Sequence, residues 1–328
     1  MKQKSVLIGM SGGVDSSVAA ALLKEQGYHV IGATMRLWTY SDSCNMKHEG
    51  CCAESAVEDA RRVCDKLGID FYVMNFKDMF KDKVVDYFVD EYIHGRTPNP
   101  CIACNKYLKF DALLKKALAM GIDYVATGHY AKIEKGEDGK YILRASEAVK
   151  KDQSYVLYNF TQEQLAHTLM PLGGYNKDWV RQKAEELGLG VAHKPDSQEI
   201  CFVEDDDYAK FITDYSGYKP KEGDILDVNG NVIGKHRGLI YYTIGQRKGI
   251  GAYGRPMFVM KIDAENNTIT LGEKGMEFSN ELTAYDVNFV SGEFPKENML
   301  ITAKVRYQAP PAAAMLCPQK DGTVKLMF

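Results

Sequence analysis

The sequence predicts an α/β fold in its first half and a β-rich fold in its second. Three observations carry this. Short apolar runs alternate with helical patterns up to about residue 205. The connections between them are short, and several helices close on glycine. After residue 205 hairpin dipeptides separate β-rich runs instead. The predicted organisation is an N-terminal α/β domain over 1–205, a small mixed α+β domain over 206–276, and a C-terminal β domain over 277–328.

Each element has its own reason. Ser5 to Met10 reads as a buried strand, because Val6-Leu7-Ile8 is apolar without alternation. Val14, Val18 and Leu22 then recur at helical spacing, with Ala19 and Leu23 beside them and Gly27 as terminator. His29 to Met35 is the second β run. Ala53 to Leu67 is helical and closed by Gly68. Phe71 to Phe76 and Tyr124 to Thr127 are further strands, the latter ending in Gly128-His129. Asp138-Gly139, Asn229-Gly230 and Asn266-Asn267 mark hairpins. Val287 to Val290, Leu300 to Tyr307 and Val324 to Phe328 read as short strands, and Glu204-Asp205-Asp206-Asp207 as a solvated loop.

Composition narrows the class. With 41 Lys+Arg against 44 Asp+Glu, the net charge is −3, so no whole-chain positive field draws polyanions. A nucleic-acid partner would need a local basic face. Eight cysteines in 328 residues do not make a disulfide mini-protein. No stretch approaches the roughly 18 apolar residues that cross a membrane, and the start lacks the apolar region of a signal peptide. The expectation is a cytoplasmic protein with reduced thiols.

Ser11-Gly12-Gly13-Val14-Asp15-Ser16-Ser17 stands between the first strand and first helix. Glycines let the backbone approach a ligand, and helix-start N–H groups favour an anion. The loop is neither a Walker A loop nor the dinucleotide fingerprint. It looks like the pyrophosphate-loop signature of enzymes that split ATP between the α and β phosphates. Met35 ends the second strand, where a doubly wound sheet exposes residues to a base; taken alone, a methionine there is more often core.

A second signal is Gly95-Arg96-Thr97-Pro98-Asn99-Pro100-Cys101-Ile102-Ala103-Cys104-Asn105. Cys104 stands near a helix start with Arg96, Lys106 and Lys109 about it, a setting that favours a thiolate. A third is Asp196-Ser197-Gln198-Glu199-Ile200-Cys201-Phe202, with its cysteine 97 residues beyond Cys104. Cys64 and Cys317 read as small buried hydrophobes. Cys44, Cys51 and Cys52 cluster with His48 in a polar loop, which leaves a metal site open.

These motifs together resemble the tRNA-specific 2-thiouridylases. The resemblance runs over nearly the whole chain and adds Ala126-Thr127-Gly128-His129-Tyr130, Lys151-Asp152-Gln153-Ser154-Tyr155 and Tyr242-Thr243-Ile244-Gly245-Gln246-Arg247-Lys248-Gly249. It implies a pyrophosphate-loop domain, Rossmann-like and of the adenine nucleotide alpha hydrolase kind. A small central domain and a C-terminal β-barrel would follow. It implies ATP-dependent formation of 2-thiouridine at the tRNA wobble position, by adenylation of the C2 oxygen and transfer of persulfide sulfur. Gly9, Met10, Ser11, Gly12, Gly13, Val14, Asp15, Ser16, Met35 and Gly128 would bind ATP, with Mg²⁺ beside its phosphates. Asn99, Pro100 and Cys101 would hold the target base. Cys104 would be the nucleophile and Cys201 the persulfide carrier, the two ending as a disulfide. His129, Lys151, Asp152, Gln153, Arg306 and Tyr307 would contact tRNA. A persulfide donor or relay protein would supply sulfur.

Two departures from the family pattern stand out. Many members carry an aspartate at the place of Cys101. Cys101, Cys104 and Cys201 could instead ligate an iron–sulfur cluster, as in some related tRNA thiolases. The chain also stops at Leu326-Met327-Phe328, inside an expected strand, where the family usually continues, so the barrel is expected to be incomplete. A ligase acting on a small molecule would share the loop without needing Cys104 and Cys201.

Overall fold

The structure, a computed structural model, describes residues 3–38, 54–195, 200–203, 205–276, 279–307 and 309–328. The chain forms two compact units. The first takes Met1–Lys83, Cys101–Phe202 and Asp286–Lys296; the second takes Val84–Pro100, Val203–Tyr285 and Glu297–Phe328.

The first unit is built on a parallel sheet. Its strands are β1 (Ser5–Gly9), β2 (His29–Arg36), β3 (Asp70–Asn75), β4 (Tyr124–Ala126) and, after the antiparallel hairpin of β5 (Ala131–Lys135) and β6 (Tyr141–Ala145), β7 (Thr168–Leu169). The order is β3-β2-β1-β4-β7. The chain therefore winds outward from β1 in one direction and resumes at β4 on its other side. That reversal opens a crevice at the carboxyl ends of β1 and β4. Val6, Leu7 and Ile8 are fully buried, as the unalternating apolar run requires of a central parallel strand.

Helix α1 (Val14–Glu25) is buried almost all round, from Val14 through Leu23 apart from Asp15. Its Ala19-Ala20-Ala21 run lets neighbours come close. Helix α2 (Glu54–Leu67) buries only Ala56, Ala60, Val63 and Cys64, one face at helical spacing. Added atoms at Gly32 of β2 would meet Cys64 Sγ at 2.6 Å, which shows how closely α2 lies on the sheet.

The second unit holds a four-stranded sheet in the order β10-β11-β8-β9, from β8 (Gly223–Leu226), β9 (Val232–His236), β10 (Met257–Asp263) and β11 (Thr268–Glu273). Ile225, Val259, Ile269 and Leu271 centre its core. A second sheet, ordered β12-β15-β14-β13, comes from β12 (Glu281–Ala284), β13 (Met299–Ala303), β14 (Ala312–Pro318) and β15 (Val324–Met327). The Asp138-Gly139, Asn229-Gly230 and Asn266-Asn267 hairpins form as expected.

Two expectations change. Val287–Val290 forms no strand. Asn288 Nδ2 donates to the Tyr158 and Phe160 carbonyls at 2.7 and 3.1 Å, and Gln162 Nε2 donates to Val290 at 2.6 Å. Side-chain amides thus replace ladder bonds. The strand expected over Leu300–Tyr307 ends at Ala303, and Arg306 instead donates to the Ile244 carbonyl at 3.1 Å. The acidic run is solvated as expected, with Asp205 to Asp207 exposed, and Asp207 also caps the helix Tyr208–Ser216 by accepting from Lys210 N at 2.9 Å.

Candidate active site

The Ser11–Ser17 loop leaves β1 at the switch-point crevice. Gly12 has φ +71°, and a Cβ there would lie 2.2 Å from the Ala56 carbonyl oxygen, so both conformation and space demand glycine. Ser16 Oγ accepts from Ser11 N and contacts Ser11 Oγ, both at 3.2 Å. Ser17 Oγ donates to the Gly13 carbonyl at 2.8 Å. Thr34 Oγ1 donates to the Met10 carbonyl at 2.8 Å and tethers the loop to β2. Gly13, the N-cap of α1, brings no side-chain hydrogen bond to the helix start. The first-turn N–H groups are thus not occupied by a cap, as an anion site requires.

Gly128 closes the other wall. Its Cβ position lies 2.6 Å from Ser16 N and 2.7 Å from the Asp15 carbonyl carbon. Met35 is half-buried near the end of β2, one strand from the loop.

Three side chains partner the loop, and two of them, Lys177 and Lys194, were not legible as motifs. Lys177 Nζ lies 2.8 and 2.9 Å from the two Asp15 carboxylate oxygens. Tyr130 Oη donates to Asp15 Oδ1 at 2.7 Å. Lys194 Nζ donates to the Gly12 carbonyl at 3.1 Å and pairs with Asp59 at 2.8 Å. The two lysines lie more than 160 residues from the loop, so no local pattern signals them.

The residues after β4 lead from the loop to the cysteines. His129 Nδ1 lies 2.7 Å from Thr127 Oγ1, and its ring packs on Phe110 at 5.9 Å. Burial, aided by the Lys109 charge, pushes the His129 imidazole well below its ordinary value, so it is neutral at pH 7. Phe110 belongs to the π-helical stretch Cys104–Ala112, which follows the helical turn Pro100–Ala103. Cys104 thus opens that stretch. It is buried, Cys101 is exposed and Cys201 half-buried. Asn105, next to Cys104, is 3% exposed; its Nδ2 donates to the Val156 carbonyl at 3.1 Å. Its Oδ1 accepts no hydrogen bond among the described residues.

Cys201 is anchored by its neighbour. Phe202 is fully buried, meeting Phe80 edge-on at 5.6 Å and Trp38 at 6.4 Å. The Lys77–Phe80 turn in turn packs on the Cys104–Ala112 helix. Both expected sulfur-handling cysteines therefore belong to the unit that carries the loop.

The remaining candidates fall out differently. Asp152 accepts from Ser146 N at 2.8 Å and Ser154 Oγ at 2.6 Å. Gln153 Oε1 accepts from Tyr130 N at 2.9 Å, and Gln153 N donates to the Tyr130 carbonyl at 2.8 Å. Those two side chains hold the fold behind Tyr130, while Lys151 beside them is half-buried. Asn99, Pro100, Arg306 and Tyr307 belong to the second unit. There Arg306 lies against Gly245, whose φ of +85° and missing Cβ leave room for the guanidinium.

Among the described residues, no three His, Cys, Asp or Glu side chains group to hold a metal ion. Cys101, Cys104 and Cys201 thus form no ligand set, and an iron–sulfur cluster does not fit them as arranged. Cys44, His48, Cys51 and Cys52 lie outside the described residues, as do Asp196 to Glu199. No described helix is long and apolar enough to cross a membrane.

A glycine-rich loop at the switch point of a parallel sheet, backed by Gly128, defines a pyrophosphate-loop α/β protein carrying further β modules. Comparison with known proteins agrees. The model of the tRNA methyl transferase HUP domain matches residues 4–205, and that of the tRNA methyl transferase PRC-barrel domain matches 209–273. A tRNA-specific 2-thiouridylase MnmA of Acetivibrio thermocellus is 57% identical, over 100% of this chain and 92% of its own. One from Clostridioides difficile is 58% identical, over 99% of this chain and 90% of its own. A solved 4-thiouridine synthetase–RNA complex with bound ATP is 18% identical with a TM-score of 0.39, covering 58% of this chain and 43% of its own. The chain belongs to the tRNA-specific 2-thiouridylase family.

Proposed function

We infer that this protein is an ATP-dependent tRNA sulfurtransferase that forms 2-thiouridine at the wobble position (uridine 34). The observation that carries this is the pairing, in one unit, of an uncapped glycine loop with Cys104 and Cys201. ATP places its phosphates at the loop, and Gly9 to Ser16, Met35 and Gly128 shape the nucleotide site. Mg²⁺, when bound, offsets charge on the departing pyrophosphate. Asp15 is the loop's carboxylate, and Lys177 and Tyr130 engage both of its oxygens, so phosphate oxygens would supply most of the metal's ligands.

The uridine C2 carbonyl is a poor electrophile. Attack of its oxygen on the α-phosphorus releases pyrophosphate and makes AMP the leaving group. The terminal sulfur of a Cys201 persulfide then attacks C2 and AMP departs with the C–O electrons. The Cys104 thiolate next attacks Cys201 Sγ. That breaks the S–S bond, leaves sulfur on the base as the thiocarbonyl and joins Cys104 to Cys201. A thiol reductant restores both thiols. A persulfide donor or relay protein reloads Cys201. Asn99, Pro100 and Cys101 are assigned to the target base, and His129, Lys151, Arg306 and Tyr307 to tRNA contact. With Asp152 and Gln153 engaged inside the fold, their contribution is to shape the Lys151 turn.

We extend the proposal to a three-part division over 1–205, 206–276 and 277–328, which the limits of the two matched models favour, and to a cytoplasmic setting, which a tRNA substrate favours. A methyl-transfer reading would leave both cysteines unused.

The test combines unmodified tRNA, ATP, Mg²⁺ and a persulfide donor. Thiouridine should form with one AMP per sulfur. Absence of product, or equal product from Cys201→Ala, sinks the reading.

A further inference from the structure

We propose that Lys177 is a positioning residue for the phosphates of ATP, acting through Asp15. This rests on the reading that the Ser11–Ser17 loop binds ATP.

Asp15 is the second residue of α1. A carboxylate there is favoured by the helix dipole, but it occupies the ground that an incoming phosphate needs. Two anions at one helix start repel, and the repulsion is strong where water is scarce. The structure resolves this conflict. Lys177 Nζ reaches both Asp15 oxygens at 2.8 and 2.9 Å, and Tyr130 Oη reaches Oδ1 at 2.7 Å. Lys177 sets a cation against the carboxylate, and the two partners fix its direction.

The location of Lys177 argues that this is more than a surface ion pair. It is the first residue of the helix Lys177–Glu186, capped by Asn176, whose side chain accepts from Trp179 N at 2.8 Å. A cation at a helix start opposes the dipole. The Lys177 side chain is also only 13% exposed, and removing an ammonium from water is costly. The fold accepts two local penalties at one residue, and what it obtains is the Asp15 contact. Lys194, at the far end of the same segment, grips the Gly12 carbonyl at 3.1 Å, where φ is +71°. Segment 176–194 therefore holds the loop at two points, once by charge and once by a backbone oxygen.

The consequence is a specific dependence between two positions. Without Lys177, the Asp15 charge faces the phosphates uncompensated. Without either charge, the conflict disappears.

The experiment measures Mg·ATP affinity calorimetrically on the full chain, with neither tRNA nor sulfur donor, for the wild type, Lys177→Met, Asp15→Asn and the double variant. Lys177→Met should bind about tenfold or more weakly. The double variant should recover most of that loss, while tRNA affinity stays level across the set. Equal affinity in Lys177→Met, or a double variant no better than Lys177→Met, overturns the proposal. Should Lys177→Met not fold, the double variant, which buries no lone charge, is compared with Asp15→Asn instead. Affinity within about threefold of Asp15→Asn shows that Lys177 acts through Asp15 and supports the proposal, and a further loss of about tenfold or more overturns it. A wild type that binds Mg·ATP yet forms no thiouridine sinks the sulfurtransferase reading and leaves the coupling measurable. One that binds no Mg·ATP overturns both.

Discussion

Gly128 stands against Ser16 so closely that a Cβ on it would lie 2.6 Å from the Ser16 backbone nitrogen. The obstacle is main chain in the first turn of α1, which cannot rotate aside as a side chain can. Gly128→Ala should therefore push that turn away from the phosphates. Displacements of about 1 Å at a reacting centre can cost around a hundredfold in rate. Pyrophosphate release in the presence of tRNA should fall by about that factor, with circular dichroism unchanged. Near-normal release would show that the loop has more slack than the contact implies.

Cys104→Ala and Cys201→Ala should each abolish thiouridine formation while Mg·ATP affinity stays within about threefold. Phe202→Ala makes a graded counterpart. It empties a fully buried site between Phe80 and Trp38 and should cost about 3–5 kcal/mol of stability. Denaturant unfolding measures that cost, and single-turnover sulfur transfer reads whether Cys201 has lost its place. A variant of wild-type stability would contradict the anchoring role.

Burial pushes the Cys64 thiol up to about 12, with the Asp65 charge adding to it. Thiolates are the species that alkylate, so Cys64 should resist iodoacetamide at pH 8 until the protein unfolds. Cys101 is exposed and should be labelled in the native state. Peptide mass mapping separates the two. The same contact predicts that Gly32→Ala, whose Cβ would meet Cys64 Sγ at 2.6 Å, costs about 1–3 kcal/mol.

His129 is held neutral, its imidazole pushed well below the ordinary 6.5 by burial and the Lys109 charge. The unfolded chain takes up that proton first as pH falls. The contribution to stability is therefore whole above pH 6.5 and is lost progressively below it. His129→Gln should flatten this dependence. Thermal midpoints between pH 8 and 5 should decline less in the variant than in the wild type; parallel curves would assign the acid sensitivity elsewhere.

Local chemistry made much of this protein readable in one dimension. Val6-Leu7-Ile8 could only be a strand buried on both faces, and the Ser11–Ser17 loop fell where a strand meets a helix. Asp138-Gly139 and Asn229-Gly230 could turn only as hairpins do. These signals act between neighbours, so the sequence displays them directly. Val287–Val290 had strand composition as well, yet Asn288 and Gln162 took its hydrogen bonds. Asp152 and Gln153, which the resemblance set against tRNA, have partners inside the fold that no local pattern showed.

The sequence by itself singled out the residues on which the proposed function rests: the glycine loop, Cys104 and Cys201. Tertiary structure alone decided what surrounds them. Lys177 meets Asp15 across 162 positions, and Lys194 meets Gly12 across 182. Phe202 finds Phe80 and Trp38. Charges and rings act through distance in space, which only folding sets, and the parallel sheet's reversal at β1 and β4 is what draws those distances in.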